Sequence, residues 1–414
     1  MPNCIQTNTF VRCPHFGFCG GCSKQDLSYD DQIRLKEEKV RSFLRDVPVE
    51  RSHPILPSPD ILFYRNKMEY SFGDERDRRI LKISAENETP SVHLGLHPKG
   101  RFALVTPTSE CLLLSKESRK ILAIVSEWAT SHHIPTYLRK NNSGVLRHLV
   151  IREGKNTGER MVNLFTTSGL SEADSLAERL KSSGVPITTF IWSLHDGLSD
   201  VARSEAPRVL WGDGFIKEKM GRVTLRVLPQ TFLQTNTHAA EMMLELLSSW
   251  SKEDSAGSSA TLFDLYCGSG SIGLNMASGV HDVIGIETEP SAIQDAKLNA
   301  EANGVSRATF LLGKVEDHLD VFTRDGVSAG TVATGTVSTG TVVVDPPRMG
   351  LHANVVQALL SVAPPHLYYV SCNPETLARD LTLLGPRYHV RDLQPMDFFP
   401  HTDHVETAVR LSRR

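Results

Sequence analysis

Three of the seven cysteines of this 414-residue chain lie close together near its N-terminus. They are Cys13, Cys19 and Cys22, in the sequence CPHFGFCGGC. Clustered thiolates can form disulfides or hold zinc or an iron–sulfur cluster. The N-terminal sequence MPNCIQTNTF lacks the features of a secretory signal, so we expect a cytoplasmic location. In that reducing compartment metal binding or catalysis is favoured over disulfides, and zinc and iron–sulfur both stay open.

Cys372 has the sequence context of a reactive thiol. It ends the apolar run HLYYVSC, which predicts a buried strand, and Asn373-Pro374 follow it. A lone cysteine is most often a small buried hydrophobe. The end of a strand is, however, where α/β proteins bind ligands, and a thiolate there can add to an electron-poor carbon. We therefore favour Cys372 as a nucleophile and expect Cys267, inside a glycine-rich turn, to pack behind a bound cofactor.

The C-terminal sequence PMDFFPHTDHVETAVRL brings polar residues to the start of the last predicted strand. Glu406 is a candidate general base for a neighbouring nucleophile. His401 and His404 are candidate metal ligands, but no third ligand is evident nearby. We expect both histidines to form hydrogen bonds within the loop instead.

The sequence FDLYCGSGSIG carries Gly268, Gly270 and Gly273 in the spacing of a nucleotide-binding turn. It follows a predicted strand and opens a predicted helix, whose free amides point towards a bound nucleotide. Glu287 ends the next strand, where a carboxylate can accept hydrogen bonds from ribose hydroxyls. By itself this turn fits NAD enzymes and S-adenosylmethionine enzymes alike.

A later strand distinguishes these two cofactors. The sequence TVVV ends in Asp345-Pro346-Pro347-Arg348, which places the Asp345 carboxylate at the rim of the cofactor crevice. The two prolines stiffen the turn and remove backbone donors. A nicotinamide dehydrogenase has no need for this element, whereas a methyltransferase acting on a planar nitrogen heterocycle does.

Strands and helices alternate through residues 216–414. This order predicts an α/β fold with a doubly wound parallel sheet. One irregular segment, GTVATGTVSTGTV at 330–342, repeats Gly-Thr-Val every five residues. We expect it to be a tandem insertion ahead of the strand that carries Asp345.

The sequence pattern of residues 1–215 predicts a mixed, strand-rich domain. The pattern is strand-like from about 61 to 165, where HLVIRE and MVNLFTT flank GKNTGER as in a hairpin. Helices are predicted over 26–45 and 171–184, and a further strand over 187–192. Helix 26–45 is a candidate to pack on the C-terminal domain.

Composition and charge are those of an ordinary globular protein. The chain is 40% hydrophobic and 22% charged. No apolar stretch is long enough to cross a bilayer. Residues 1–215 hold 29 basic and 26 acidic side chains, and the remainder hold 16 and 22. This mild asymmetry is compatible with an RNA-facing first half.

Five segments occur together and in order: CPHFGFCGGC, DLYCGSGSIG, DPPR, SCNP and HVE. With them the chain resembles the RNA uracil-C5 methyltransferases over nearly its whole length, and FYRNKMEYSFG and FLQTN also match. The resemblance implies a Rossmann-like class I methyltransferase domain after an N-terminal strand-rich α+β domain that holds an iron–sulfur cluster and binds RNA. A monomer with no membrane attachment is expected.

The resemblance also implies roles for individual residues. Cys372 would be the nucleophile and Glu406 the base. S-adenosylmethionine would be held by Gln234, Tyr266, Ser271, Glu287, Lys314 and Asp345. A [4Fe–4S] cluster would be ligated by Cys13, Cys19, Cys22 and Cys111.

The chemistry of the family accounts for these residue types. Uracil C5 is too poor a nucleophile to take a methyl group unaided, but addition of the Cys372 thiolate to C6 gives it negative character. Glu406 then removes the C5 proton, and elimination releases the thiolate. The base must leave its stack to reach such a site, and Phe398 and Phe399 are candidates to stack on it.

The expected RNA is 23S rRNA, with the tRNA T-loop as the alternative. Ribosomal members with this cysteine pattern often carry a further RNA-binding domain ahead of the cysteines, which here begin at residue 13. Two other classes are a cytosine-C5 methyltransferase and a non-catalytic RNA-binding protein with a zinc module. Cytosine enzymes usually place their nucleophile in other segments, and intact DPPR, SCNP and Glu406 disfavour a non-catalytic protein.

Overall fold

The computed structural model describes residues 12–83, 91–167, 170, 172–204, 207–254, 261–277, 282–318, 327–328, 331–332 and 339–414. Its strands are β1 (Val49–Ser52), β2 (Lys67–Gly73), β3 (His93–Leu96), β4 (Thr106–Pro107), β5 (Leu146–Glu153), β6 (Arg160–Thr166), β7 (Thr189–Leu194), β8 (Arg208–Trp211), β9 (Ile216–Met220), β10 (Val223–Val227), β11 (Thr261–Leu265), β12 (Val283–Glu287), β13 (Ala308–Leu312), β14 (Val327–Ser328), β15 (Thr331–Val332), β16 (Thr339–Val344), β17 (His366–Ser371), β18 (Tyr388–Met396) and β19 (Glu406–Arg413).

Its α-helices are α1 (Tyr29–Leu44), α2 (Glu75–Leu81), α3 (Lys116–Ser131), α4 (Ala173–Ser182), α5 (Thr237–Asp254), α6 (Ser271–Met276), α7 (Pro290–Ala302), α8 (Ala353–Val362) and α9 (Pro374–Leu384). A 3₁₀ turn covers Val315–Asp317. No described helix has the length and apolar character needed to cross a bilayer.

The chain divides into two compact units. The first unit comprises Met1–Ser28, Asp60–Glu218 and Val227–Gln230, and the second unit comprises Tyr29–Pro59, Lys219–Arg226 and Thr231–Arg414. Helix α1 therefore belongs to the second unit, although it precedes most of the first unit in sequence.

The second unit contains a sheet with the strand order β1-β18-β19-β17-β16-β11-β12-β13. Strands β17, β16, β11, β12 and β13 pair in parallel, while β19 runs antiparallel to both β17 and β18. The chain passes outward from β11 to β13 and then returns to the other side of β11 as β16. This reversal of strand order is the point at which doubly wound sheets bind their ligands, beyond the carboxyl ends of the strands.

Alternation along the strands builds the core of the second unit. Phe263, Leu265, Val342 and Val344 face one hydrophobic cluster, and that cluster also contains residues of α1, α8 and α9. Their neighbour Val343 is equally buried, so the central strands are covered on both faces. Such double burial explains why these strands are continuous apolar runs in the sequence.

The first unit is built on a seven-stranded sheet with the order β4-β3-β2-β5-β6-β7-β8. The pairing is antiparallel except between β6 and β7. Helices α3 and α4 contribute Ile121, Trp128, Leu176 and Leu180 to its hydrophobic core. The predicted strand-rich domain, the β5–β6 hairpin and the Rossmann-like second half are thus present.

One prediction from the sequence is wrong, and another lies mostly outside the described residues. The strand-like pattern expected throughout 61–165 is wrong for α2 and for α3, an amphipathic helix capped by Ser115. Its apolar residues Ile121, Val125 and Trp128 recur at helical spacing and all lie in the core. The Gly-Thr-Val repeat falls mostly on residues outside those described, apart from β15 and the start of β16.

Candidate active site

Cys372 and Glu406 meet at the carboxyl edge of the sheet in the second unit. Cys372 follows the last residue of β17, and Glu406 opens β19. In the antiparallel ladder Ser371 lies opposite Thr407. Cys372 and Glu406 are the next residues beyond that last pair, because partners in an antiparallel ladder move in opposite directions, and Glu406 raises the pKa of the Cys372 thiol.

The Cys372 thiol is half-buried and sits among charges. Burial raises its pKa above the usual range, and the carboxyl groups of Glu406 and Asp345 raise it further, whereas Arg348 lowers it. These interactions show that both carboxyl groups lie within electrostatic range of the thiol. The thiolate needed for a nucleophilic attack therefore forms less readily here than in water.

The Glu406 carboxyl group is buried, with 3% of the residue exposed. Burial raises its pKa well above the ordinary value, Asp345 raises it further, and Arg348 opposes the shift. Its Oε2 has no hydrogen-bond partner among the described residues. A buried carboxyl group with a free oxygen and a high proton affinity is suited to take a proton from a bound substrate.

Asp345 directly follows β16, next to the point where the strand order reverses. Its Oδ2 accepts a hydrogen bond of 3.2 Å from Nε2 of Gln234. Burial raises the pKa of Asp345 to about 7. The predicted residues Gln234 and Asp345 are thus in direct contact, although 111 positions separate them.

The glycine-rich turn connects β11 to α6. Tyr266, Gly268 and Gly270 all adopt positive φ, at 67°, 53° and 84°. Such a run of left-handed residues needs glycine or strain, and strained backbone collects at functional sites. Glu287 Oε2 accepts a hydrogen bond of 3.1 Å from the Gly268 amide, so this carboxylate also holds the turn in place.

Support for the turn comes from residues packed behind it. Asp264 Oδ2 accepts a hydrogen bond of 2.7 Å from the Gly273 amide, and burial raises the pKa of Asp264 to about 7. A Cβ on Gly285 would lie 2.8 Å from Cys267 Sγ. Cys267 is buried behind the turn, and burial raises the pKa of its thiol well above the usual range, so it remains a packing residue.

The other predicted cofactor residues lie around the same edge. Burial raises the pKa of the Tyr266 hydroxyl to about 12, and Ser271 begins α6. Lys314 is exposed and lies beyond β13, at the start of the 3₁₀ turn.

Sequence reasoning missed the side chains that hold the loop before Glu406. Lys36 of α1 donates to Oδ1 of Asp397 at 2.6 Å and to the Phe399 carbonyl at 2.9 Å. The Tyr29 hydroxyl donates to Asp397 Oδ2 at 3.0 Å. Lys36 and Asp397 are 3% and 0% exposed, so this ion pair is fully inside the protein.

A second anchor ties the same loop to α1. Gln32 accepts a hydrogen bond of 2.8 Å from the His401 amide through Oε1, and its Nε2 lies 3.3 Å from His401 Nδ1. His404 Nδ1 accepts a hydrogen bond of 3.4 Å from the Arg348 guanidinium. The His404 amide donates to Thr402 Oγ1 at 3.2 Å. Both histidines therefore make contacts with neighbouring groups of the second unit.

One of the two aromatic rings expected to stack on the substrate base is buried in the protein. Phe398 is fully buried, so the expectation that it faces a bound base is wrong. Its carbonyl instead accepts a hydrogen bond of 3.0 Å from Asn236 Nδ2. Phe399 is half-buried and lies edge-on to His404, with ring centroids 5.8 Å apart.

In the first unit, the four cysteines predicted as cluster ligands line one cavity. Cys13, Cys19, Cys22 and Cys111 surround it, with Cys111 arriving from a distant part of the chain. Burial raises the pKa of Cys22 to about 12 and that of Cys111 to about 11, and the neighbouring thiols add to both shifts. Among the described residues, no group of three or more His, Cys, Asp or Glu side chains has an arrangement that could hold a metal ion.

The fold and the edge of the sheet define a class I methyltransferase. The sequence model of the family described as tRNA (Uracil-5-)-methyltransferase matches residues 189–414. An uncharacterized RNA methyltransferase of Caldanaerobacter subterraneus is 35% identical over 409 residues, which are 97% of this chain and 84% of that protein. One of Clostridium tetani is 33% identical, with 98% and 84% covered.

A solved structure agrees with these relatives. The Pyrococcus abyssi tRNA (uracil-54, C5)-methyltransferase, in complex with S-adenosyl-L-homocysteine, has a TM-score of 0.74 and 30% identity, over 95% of this chain and 86% of that one. The chain belongs to the tRNA (uracil-5-)-methyltransferase family. It is an S-adenosylmethionine-dependent RNA methyltransferase, so the predictions of fold, family and enzyme class are confirmed.

The buried ion pair gives a first prediction. Asp397→Asn leaves the Lys36 ammonium buried without a countercharge, which typically destabilises a fold by about 3–5 kcal/mol. We expect a matching loss in the free energy of unfolding by chemical denaturation, and slower methyl transfer because Glu406 loses its anchored loop. Arg34→Gln removes an exposed ion pair with Glu38 on the same helix and should leave both quantities unchanged. Equal effects of the two variants would contradict the anchoring role.

Proposed function

We propose that this protein transfers a methyl group from S-adenosylmethionine to C5 of a specific uridine in RNA, through a covalent bond between Cys372 and C6. The observation that carries this proposal is the opposition of Cys372 and Glu406 at the edge of the sheet, where the buried Glu406 Oε2 has no partner among the described residues. A nucleophile and a base at the neighbouring ends of two adjacent strands can act on neighbouring atoms of one ring.

Cys372 and Glu406 have separate roles in this reaction. The Cys372 sulfur bonds to C6 of uracil, and the electrons of the C5–C6 double bond move towards C5 and the O4 carbonyl. C5 then bonds to the electrophilic methyl group that S-adenosylmethionine would supply, while the bond from that methyl carbon to the sulfonium sulfur breaks and S-adenosylhomocysteine leaves. Glu406 then accepts the proton from C5, the double bond re-forms, and the bond between C6 and the Cys372 sulfur breaks to return the thiolate. Protons and electrons balance without an oxidant or reductant.

Cofactor binding is assigned to the turn and the strand ends that surround the crevice. Glu287 would hold the ribose hydroxyls, and Tyr266 and Ser271 would line the nucleotide side. Gln234 and Asp345, joined by a hydrogen bond, would sit between cofactor and uracil. Lys314 completes the proposed set from the far side of β13.

Two RNA molecules are candidate substrates. The cysteine pattern CPHFGFCGGC favours 23S rRNA, as in ribosomal members of the family. The Pyrococcus abyssi relative, which acts on uracil-54 of tRNA, favours the tRNA T-loop. Mass-spectrometric mapping of methyluridine, in RNA from a strain lacking the gene before and after treatment with the protein, separates the two.

We propose that Cys13, Cys19, Cys22 and Cys111 hold a [4Fe–4S] cluster. Support comes from the single cavity that all four cysteines line. Each cysteine of such a cluster binds a different iron, so the four sulfurs surround a volume rather than one point. That arrangement is compatible with thiols that do not converge on a single ion. The cluster's role would be structural, since it would tie the N-terminal segment to the part of the first unit that carries Cys111.

The proposed chemistry predicts a trapped intermediate. Glu406→Gln keeps the shape of the side chain but cannot accept the C5 proton, so the Cys372 sulfur adds and is not released. We expect an RNA–protein adduct that survives a denaturing gel, formed with RNA from the strain lacking the gene. Cys372→Ala is the matched control, because it should bind S-adenosylmethionine and give no adduct. A Glu406→Gln protein that turns over like the wild type would rule out this base.

The cluster proposal predicts a metal content. Protein purified without oxygen should contain iron and acid-labile sulfide in equal amounts and should absorb broadly in the visible range. Cys111→Ser should lower both contents, whereas Cys267→Ser, a buried cysteine of the second unit, should change neither. Stoichiometric zinc without sulfide would overturn the assignment of iron.

A further inference from the structure

The first unit contains a second cavity, of about 380 Å³. This volume falls in the range of about 300–1,000 Å³ that small-ligand sites occupy. Its lining combines three kinds of side chain: aromatic or apolar (among them Phe72, Ile80, Phe102 and Tyr137), basic (Arg76, Arg139, Lys140 and Arg147) and titratable (His97, His148, Asp77 and Asp200).

The floor of this cleft is a chain of polar contacts. Ser71 and His148 are partners on adjacent strands β2 and β5. The Ser71 hydroxyl lies 2.9 Å from His97 Nε2 and 3.3 Å from His148 Nδ1. His148 Nε2 in turn lies 3.3 Å from Asp200 Oδ1. His97 Nδ1 donates to the Leu104 carbonyl at 2.8 Å, so the floor is held at both ends.

One wall of the cleft is fixed by Arg147. Its guanidinium donates to the carbonyls of His195, Gly197 and Ser199, at 2.8, 2.5 and 2.6 Å. Three charge-assisted hydrogen bonds to one loop hold that loop, and hence Asp200, in place. The Tyr137 ring covers the same guanidinium, 4.2 Å from its centre. The cleft is therefore preorganised.

The rim of the cleft carries the accessible groups. The Phe102 side chain is 66% exposed, so its ring is open to solvent. Arg139 and Lys140 are exposed and adjacent in sequence. Arg139 also contacts Asp200 at 3.0 Å, and Arg76 lies 3.4 Å from Asp77. Four basic side chains against these two carboxylates leave the cleft positive, even with both histidines neutral.

We propose that this cleft binds one unpaired nucleotide of the RNA substrate, with the base against Phe102 and the backbone phosphate against Arg139 and Lys140. An exposed aromatic ring beside two neighbouring cationic side chains is the combination that binds single-stranded nucleic acid. Every base has a face that can stack on the ring, and every nucleotide has a phosphate that the cations can bind. A duplex offers no free base face, so the cleft selects unpaired RNA. This inference rests on the proposed function, since it takes RNA as the substrate.

The test uses the full chain and a fluorescein-labelled single strand of twelve uridines, with the corresponding rU–rA duplex for comparison. Phe102→Ala should weaken binding of the single strand by about five- to 150-fold, the range for loss of one stacked base. Arg139→Ala with Lys140→Ala should weaken it too. That double variant should also reduce the dependence of log affinity on log salt by about 0.7, the value for one phosphate contact on a single strand.

The matched control is Arg179→Ala with Lys181→Ala, which removes two exposed charges from α4 of the same unit. It should keep the affinity of the wild type within about twofold, apart from a small screened effect at low salt. Thermal denaturation should show all three proteins folded, and their affinity for S-adenosylmethionine should equal that of the wild type. Photocrosslinking with 4-thiouridine in the strand should label the peptides that contain Phe102 or Tyr137.

Several results would overturn the inference. One is wild-type affinity for the single strand in both cleft variants, and another is an equal loss in the control. Duplex binding that falls as much as single-strand binding, or uridine monophosphate that binds as tightly as the strand, would also contradict it. Failure of the proposed function is separate: it would appear as a wild-type protein that methylates no RNA, whatever the cleft variants do.

Discussion

Burying the Glu406 carboxyl group with its Oε2 unpartnered among the described residues costs free energy, and the surrounding fold must hold this group in place. The loop that leads into Glu406 is fastened to α1 by the buried ion pair of Lys36 and Asp397 and by the contacts of Gln32 with His401. An ion pair at this depth is weak as a source of stability but specific in its geometry. Helix α1 therefore serves the second unit as a clamp on the strand that carries the base.

The parallel sheet brings the residues proposed to bind the cofactor and those proposed to act on the substrate to one edge. Strands β11, β12 and β16 end side by side, so Tyr266, Glu287 and Asp345 follow one another around the crevice. The antiparallel β19 then delivers Glu406 to the same edge from the opposite chain direction. A strictly parallel sheet would have placed the beginning of the last strand at the other end.

The sequence allowed some of this to be predicted and not the rest. Apolar runs followed by Gly, Asp-Pro or Ser-Cys located the strand ends, because strand ends are local features. The opposition of Cys372 and Glu406 depends on the pairing of β19 with β17, which no local pattern specifies. The Lys36–Asp397 pair spans 361 positions. A partial signal existed, since Lys36 shares the buried face of α1 with Val40 at helical spacing.

The same limit applies in the first unit. Helix α3 was predictable from its cap and its apolar spacing, but the β-branched and aromatic residues around it favoured a strand interpretation. The floor of the nucleotide cleft was not predictable, because Ser71, His97, His148 and Asp200 come from four separate segments. Each is an ordinary polar residue in its own segment and acquires a role only through the pairing of β2, β3 and β5.

Three acidic groups at one edge of the second unit also constrain the order of the chemistry. Beyond the effect of burial, Glu406 and Asp345 both raise the pKa of the Cys372 thiol, and Asp345 raises the pKa of Glu406. Arg348 lowers both pKa values. Each negative charge at this edge therefore makes the next one harder to form. A positive charge added to the crevice would lower all three pKa values, and a sulfonium group carries one. Cys372 is therefore expected to ionise most readily when the methyl donor is bound, which confines the reactive thiolate to the state in which it can lead to methyl transfer.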